Sequence, residues 1–87
     1  MHLRYALFLH SEAVAIYRSM RGRERVELER FFESLENYPY LEGETTERDV
    51  IGRTVQVKFV GKFKLVYWAD HAVKEVKLLK LERLRKW

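Results

Sequence analysis

Three lysines in the C-terminal half, Lys58, Lys64 and Lys77, alternate with aromatic and aliphatic residues, and Tyr67 and Trp68 lie close by. Lys and Arg without a metal suit phosphoryl chemistry, because cations beside a phosphate stabilise the extra charge of the transition state. A lysine whose pKa is lowered by neighbouring cations can also serve as acid or base. The tail, Glu82-Arg83-Leu84-Arg85-Lys86-Trp87, is a basic cluster ending in an aromatic. Arg85 and Lys86 suit phosphate, and Trp87 suits stacking on a base. The bland alternative is that Trp87 folds back and tacks the tail to the domain. Nothing else carries catalytic spacing. His2, His10 and His71 are isolated, with no ligand partner at i, i+4, so no metal motif exists. Ser11, Ser19 and Ser34 lack a nucleophile context, and there is no Gly-rich phosphate loop. No cofactor is expected.

The elements that must position these lysines are strands. From Arg53 to Leu81, apolar and polar residues alternate with the period of 2 of half-buried strands. Gly61 marks one turn and Asp70-His71 the next. With Val60-Gly61-Lys62 as a three-residue loop, Phe59 faces Phe63, Val57 faces Leu65 and Val55 faces Tyr67. With Asp70-His71 as a two-residue loop, Leu65 faces Val76 and Phe63 faces Leu78. One face becomes wholly apolar, and Lys58, Lys64 and Lys77 stand side by side on the other. Like charges directly opposite destabilise a sheet, so such a row asks for an anionic partner.

Upstream, His2 to His10 reads as a strand with Leu3, Tyr5, Leu7 and Leu9. Ser11 is the expected N-cap of a short helix carrying Ala13, Val14, Ile16, Tyr17 and Met20. Gly22 marks a corner, and a second helix runs from about Glu24 to Asn37. Its stripe is Leu28, Phe31, Phe32 and Leu35, and Pro39 ends it. Tyr40 to Gly52 reads as a loop rich in acids: Glu42, Glu44, Glu47 and Asp49. Solvation is the ordinary role of such acids; the sharper one is a carboxylate leaning over the lysines as a base or steering substrate by repulsion. The expected architecture is α+β: N-terminal strand, helix hairpin, then a three-stranded antiparallel meander, with the helices on one face of the sheet.

Eighty-seven residues, 47% hydrophobic and 34% charged, fit one domain over 1–87 with a modest core. The absence of cysteine excludes disulfides and thiolate metal sites and fits a cytoplasmic location. No apolar run reaches the length of a membrane span, and the N-terminus lacks a signal-peptide layout. Residues 1–50 hold 7 Lys+Arg against 10 Asp+Glu, a net −3, and residues 51–87 hold 10 against 3, a net +7. That asymmetry suggests a polyanion such as nucleic acid, unless the basic surface serves only solubility.

The element order, with LERFFESLENYP, GRTVQVKFVGKFKLVYWAD and VKLLKLERLRKW, resembles the RelE/ParE superfamily of toxins from bacterial and archaeal toxin–antitoxin pairs. The middle stretch carries a Gly followed by aromatic-basic-Leu-Val-Tyr, here Gly61 and Phe63-Lys64-Leu65-Val66-Tyr67. The resemblance implies a cognate antitoxin and, in the ribonuclease branch, metal-independent cleavage of messenger RNA on the ribosome, with the RNA's 2′-hydroxyl attacking the adjacent phosphate to leave a cyclic phosphate. It implies catalytic roles for Lys58, Lys64 (where the family usually has arginine) and Arg83. Gln56, where another lysine is often found, would bind RNA with Lys77, Arg85, Lys86 and Trp87. The alternatives it leaves are a ParE-like toxin that inhibits DNA gyrase by protein binding, and an inactive module that only binds an antitoxin.

Overall fold

The computed structural model describes residues 4–84. In order, its elements are β1 (Ala6–Leu9), α1 (Ser11–Ser19), α2 (Gly22–Asn37), β2 (Thr45–Arg48), β3 (Thr54–Val60), β4 (Phe63–Asp70) and β5 (Glu75–Arg83). The strands form one mixed sheet in the order β1-β5-β4-β3-β2. The antiparallel meander is β3, β4 and β5, with β1 added parallel to β5 and β2 antiparallel to β3. Both helices lie on one face, as expected. Leu28, Phe31, Phe32 and Leu35 of α2 are buried with Phe63, Leu65 and Tyr67 of β4 and Val76, Leu78 and Leu81 of β5. Full burial of one such side chain is worth about 1.5–3 kcal/mol, so this layer is the main source of stability.

Five details differ from the sequence-based expectation. First, β3 and β4 are joined by a two-residue loop, Gly61-Lys62, so Val60 faces Phe63, Phe59 faces Lys64 and Lys58 faces Leu65. Gly61 has φ +57°, as the first central residue of a type II′ turn requires. The pairing is one residue off the expected one, and a shift of one moves every side chain of a strand to the other face. Val55, Val57 and Phe59 therefore lie opposite the helices. There Val55 and Val57 bury with Val66 in a second cluster that includes Trp68 and Leu79, while Phe59 is exposed.

Second, the β4–β5 connection is longer than two residues. Asp70 pairs with Glu75, and the left-handed Lys74 (φ 58°) closes the turn. A bulge at Val66/Tyr67 then brings Leu65 opposite Leu81 and Phe63 opposite Arg83. Third, the acidic segment is not all loop, because Thr45–Arg48 forms the edge strand β2, exposed along its length.

Fourth, the N-cap of α1 is His10, not Ser11, and makes no side-chain cap bond. The His10 N–H still donates to the Leu78 carbonyl as an extension of β1, and the His10 carbonyl already accepts from Val14. Fifth, α2 begins at Gly22 instead of near Glu24, and among the described residues the N-terminal strand spans Ala6–Leu9, with His2 and Leu3 lying outside them.

Candidate functional site

Because residues directly opposite in a sheet share a face, the pairing assigns each expected site residue to a side. Lys58 and Gln56, opposite Leu65 and Tyr67, lie on the helix side. Arg83, opposite Phe63, does too. Lys64, opposite Phe59, and Lys77, opposite Trp68, lie on the open side. The side-by-side row of three lysines does not form, since Lys58 stands on the other face from Lys64 and Lys77. What the fold does gather is Lys58, Lys64 and Arg83 near the Gly61-Lys62 turn, from both faces of the sheet. At the same end, the Leu84 N–H donates to the Lys62 carbonyl at 2.7 Å. Gln56 and Lys77 lie further along the strands. Arg85, Lys86 and Trp87 fall outside the described residues.

Lys58, Lys64, Lys77 and Arg83 each carry a carboxylate partner. Lys64 Nζ donates to Glu47 Oε2 at 2.8 Å, and Lys58 Nζ lies 3.6 Å from Glu44 Oε1. Lys77 Nζ donates to Asp70 Oδ2 at 3.1 Å. Arg83 reaches Glu24 of α2 through two guanidinium nitrogens at 3.2 and 3.3 Å, with its plane 4.6 Å above the Phe63 ring. Three of those acids, Glu24, Glu44 and Glu47, come from the acidic first half of the chain and pair with cations of the basic second half. The hydrogen bond from Lys77, aided by the Ala72 N–H, holds the Asp70 carboxyl below its usual pKa.

The acids reach across because of how β2 lies. Thr45 pairs with Val57 and Glu47 with Val55, so Glu47 is on the open side. The Glu44 N–H donates to the Val57 carbonyl at 2.8 Å, extending the ladder by one residue and placing Glu44 on the helix side beside Lys58. Gly43 makes the approach possible, since a Cβ there would collide with the Val57 backbone. The Gly43 N–H donates to Gln56 Oε1 at 2.9 Å, so Gln56 anchors this segment. Glu44 and Glu47 are thus ion-pair partners of one lysine each, on opposite faces, and no carboxylate leans over a row of three. The local signal was the β-branched pair Thr45-Thr46 between two glutamates.

On the open side, Trp68 is covered by the Arg53 guanidinium, 3.8 Å from the ring centroid, and approached by Lys77 Nζ at 5.4 Å. Cations over an indole face are held by its quadrupole, so Trp68, Arg53 and Lys77 form one cationic aromatic patch. Arg53 opens the alternating run but was missed from sequence, because its place over Trp68 is set by the tertiary structure. At the far end of β4, a cavity of about 270 Å³ is lined by Tyr40, Leu41, Gln56, Tyr67, Trp68 and His71 among others. Tyr40 stacks on His71 at 4.6 Å, and Tyr5 Oη lies 2.8 Å from His71 Nδ1. Tyr67 Oη donates to the Leu41 carbonyl at 3.0 Å. Burial, with the negative charge of Glu42 adding to it, pushes the Tyr67 phenol up to about 12. Among the described residues, no three His, Asp or Glu side chains gather as metal ligands would, and no helix is long and apolar enough to cross a membrane.

No family model and no curated protein matches the sequence. Solved structures do match the fold. A chain of the archaeal RelE-RelB complex from Pyrococcus horikoshii OT3 superposes with a TM-score of 0.76 at 17% identity, over 97% of this chain and 99% of that one. A chain of the toxin-antitoxin complex RelBE2 from Mycobacterium tuberculosis gives 0.73 at 18% identity, over 95% and 94%. The sequence resemblance to the RelE/ParE superfamily is thus matched by the fold, an α+β RelE fold covering nearly the whole chain.

Proposed function

We propose that this chain is the toxin of a toxin–antitoxin pair, held by a cognate antitoxin, and that it acts in the cytoplasm by cleaving messenger RNA on the ribosome. The observation that carries the first part is the near-complete match, in both directions, to chains of two toxin–antitoxin complexes. The cations around the Gly61-Lys62 turn support the second. Lys58 and Arg83 on the helix side and Lys64 on the open side bracket the end of the β3–β4 hairpin, where a phosphate could meet charge from more than one direction. In this reading the RNA's own 2′-hydroxyl attacks the adjacent phosphorus, the P–O5′ bond breaks, and a 2′,3′-cyclic phosphate remains. A lysine in its neutral form takes the proton from the hydroxyl, a protonated lysine gives one to the departing 5′-oxygen, and Arg83 bears the charge on the phosphoryl oxygens. Lys77 with Trp68 and Arg53 would hold the flanking nucleotides, joined by Gln56 and the tail residues Arg85, Lys86 and Trp87.

Two measurements test this. Co-expression with the product of the adjacent reading frame should retain a complex through purification; two folded proteins that separate would count against an antitoxin partner. Single-turnover cleavage of ribosome-bound message should then be lowered by Lys58→Ala more than RNA binding is lowered, because charge that acts in the transition state affects rate more than affinity.

A second reading is favoured by a specific observation. Lys58, Lys64, Lys77 and Arg83 are each engaged by a carboxylate, and Phe59 stands exposed on the open face. Such a face suits protein binding, as in a toxin that inhibits DNA gyrase, or a module that binds only its antitoxin. Intact message together with blocked DNA supercoiling would select the gyrase reading. Intact message with normal supercoiling, in a chain that still holds its antitoxin, would select the inactive module.

A further inference from the structure

We propose that Glu44 and Glu47 set the ligand selectivity of the cationic hairpin end: they hold the counter-charge positions of Lys58 and Lys64, and an RNA strand binds by displacing them. This rests on the RNA reading above and adds to it two residues and a selection rule. Glu44 and Glu47 are three apart on one extended segment, so their side chains fall on opposite faces of the sheet edge. Each reaches the lysine on its own face, at 3.6 Å for Glu44–Lys58 and 2.8 Å for Glu47–Lys64. Glu44 is fixed further by its other oxygen, which accepts from the Phe59 N–H at 3.1 Å. One edge segment therefore pairs with a lysine on each face of the hairpin end.

The two pairs are open to exchange. The glutamate side chains are 48% and 47% exposed, and half-exposed ion pairs of this kind are weak. An isolated phosphate gains one contact for each carboxylate it displaces and has little advantage. A single-stranded RNA makes several phosphate contacts at once and releases counterions at each, so it displaces both acids where a mononucleotide does not.

Affinity for a short single-stranded RNA, measured by fluorescence anisotropy at several salt concentrations, tests this on the full chain. Glu47→Gln should bind about two- to fivefold tighter, the range spanned by an exposed ion pair, and its log–log salt slope should steepen by about 0.7 as Lys64 becomes available to a phosphate. Glu47→Gln combined with Lys64→Gln should return to the affinity of Lys64→Gln alone. Glu33→Gln makes the same change in formal charge on the exposed face of α2 and should leave affinity and slope unchanged. Wild-type binding that is matched in affinity and slope by Glu47→Gln would overturn the inference and leave the RNA reading standing. An equal gain from Glu33→Gln would also overturn it, because net charge alone would then account for the effect. Absence of RNA binding by the wild type and by Glu47→Gln would remove the RNA reading and this inference together.

Discussion

Lys58 lies directly across from Leu65 and Lys64 directly across from Phe59, so the two lysines stand on opposite faces of the sheet. Each meets its own glutamate instead of the other lysine. Neutralising either one should therefore not relieve repulsion. Lys58→Gln and Lys64→Gln are each expected to cost about 0–1 kcal/mol through the lost half-exposed ion pair. Their combination should be additive to about 0.5 kcal/mol, as for sites without shared partners. Urea denaturation of the two single variants and the double variant measures this. A stability gain from both singles, with strong coupling in the double, would mean that the lysines do face one another.

Phe31 is 9% exposed and meets Tyr67 edge-on at a centroid distance of 5.7 Å. Truncation to alanine removes that contact and opens a cavity under α2. Phe31→Ala is expected to cost about 3–5 kcal/mol, a large share of a small domain's stability. Glu33, two residues on and exposed, should tolerate alanine within about 0.5 kcal/mol. Equal effects in chemical denaturation would rotate α2 away from the observed contact.

Tyr67 makes stability depend on pH in the alkaline range. Its folded pKa is raised, to about 12, above the ordinary tyrosine value of 10.0. A raised pKa contributes stability that is fully present below the unfolded value and is lost as pH rises through the folded one. Stability should therefore fall between about pH 10 and 12. Tyr67→Phe should lose less over that window, while costing about 1 kcal/mol at neutral pH because the Leu41 carbonyl loses its donor. Parallel slopes for wild type and variant in alkaline urea titrations would show that Tyr67 is not the titrating group.

Gly43 decides whether β2 can dock. A Cβ at this position meets the Val57 carbonyl, and backbone atoms cannot rotate away as a flexible side chain can. Gly43→Ala should cost about 1–3 kcal/mol, as overpacking typically does. It should also lower hydrogen-exchange protection of the amides that link β2 to β3, while those of α2 and of the β4–β5 ladder keep theirs. Unchanged protection at the β2–β3 pairing would show that the edge strand tolerates the added carbon.

The sequence alone determined the elements that repeat a pattern. The stripe Leu28, Phe31, Phe32, Leu35 has the spacing of a one-sided helix, and the alternation from Val55 onward has the spacing of strands; both are consequences of local geometry and survive in the fold. The charge asymmetry between the two halves was equally plain. Which face each lysine occupies was decided by the tertiary structure, because strand pairing is set by the turn. Gly61 at the first position of a two-residue loop moves β3 by one residue against β4 and carries Lys58 away from Lys64. Gly-Lys between two apolar runs does hold that signal, but only with the loop length known. The edge strand Thr45–Arg48 was hard to read for a different reason: both its faces are exposed, so beyond the β-branched pair Thr45-Thr46 no hydrophobic period marks it. The partners of the cations, Glu24, Glu44 and Glu47, lie 59, 14 and 17 residues away from theirs along the chain. No local spacing encodes such contacts; they exist because β2 pairs along β3 and α2 lies against the sheet.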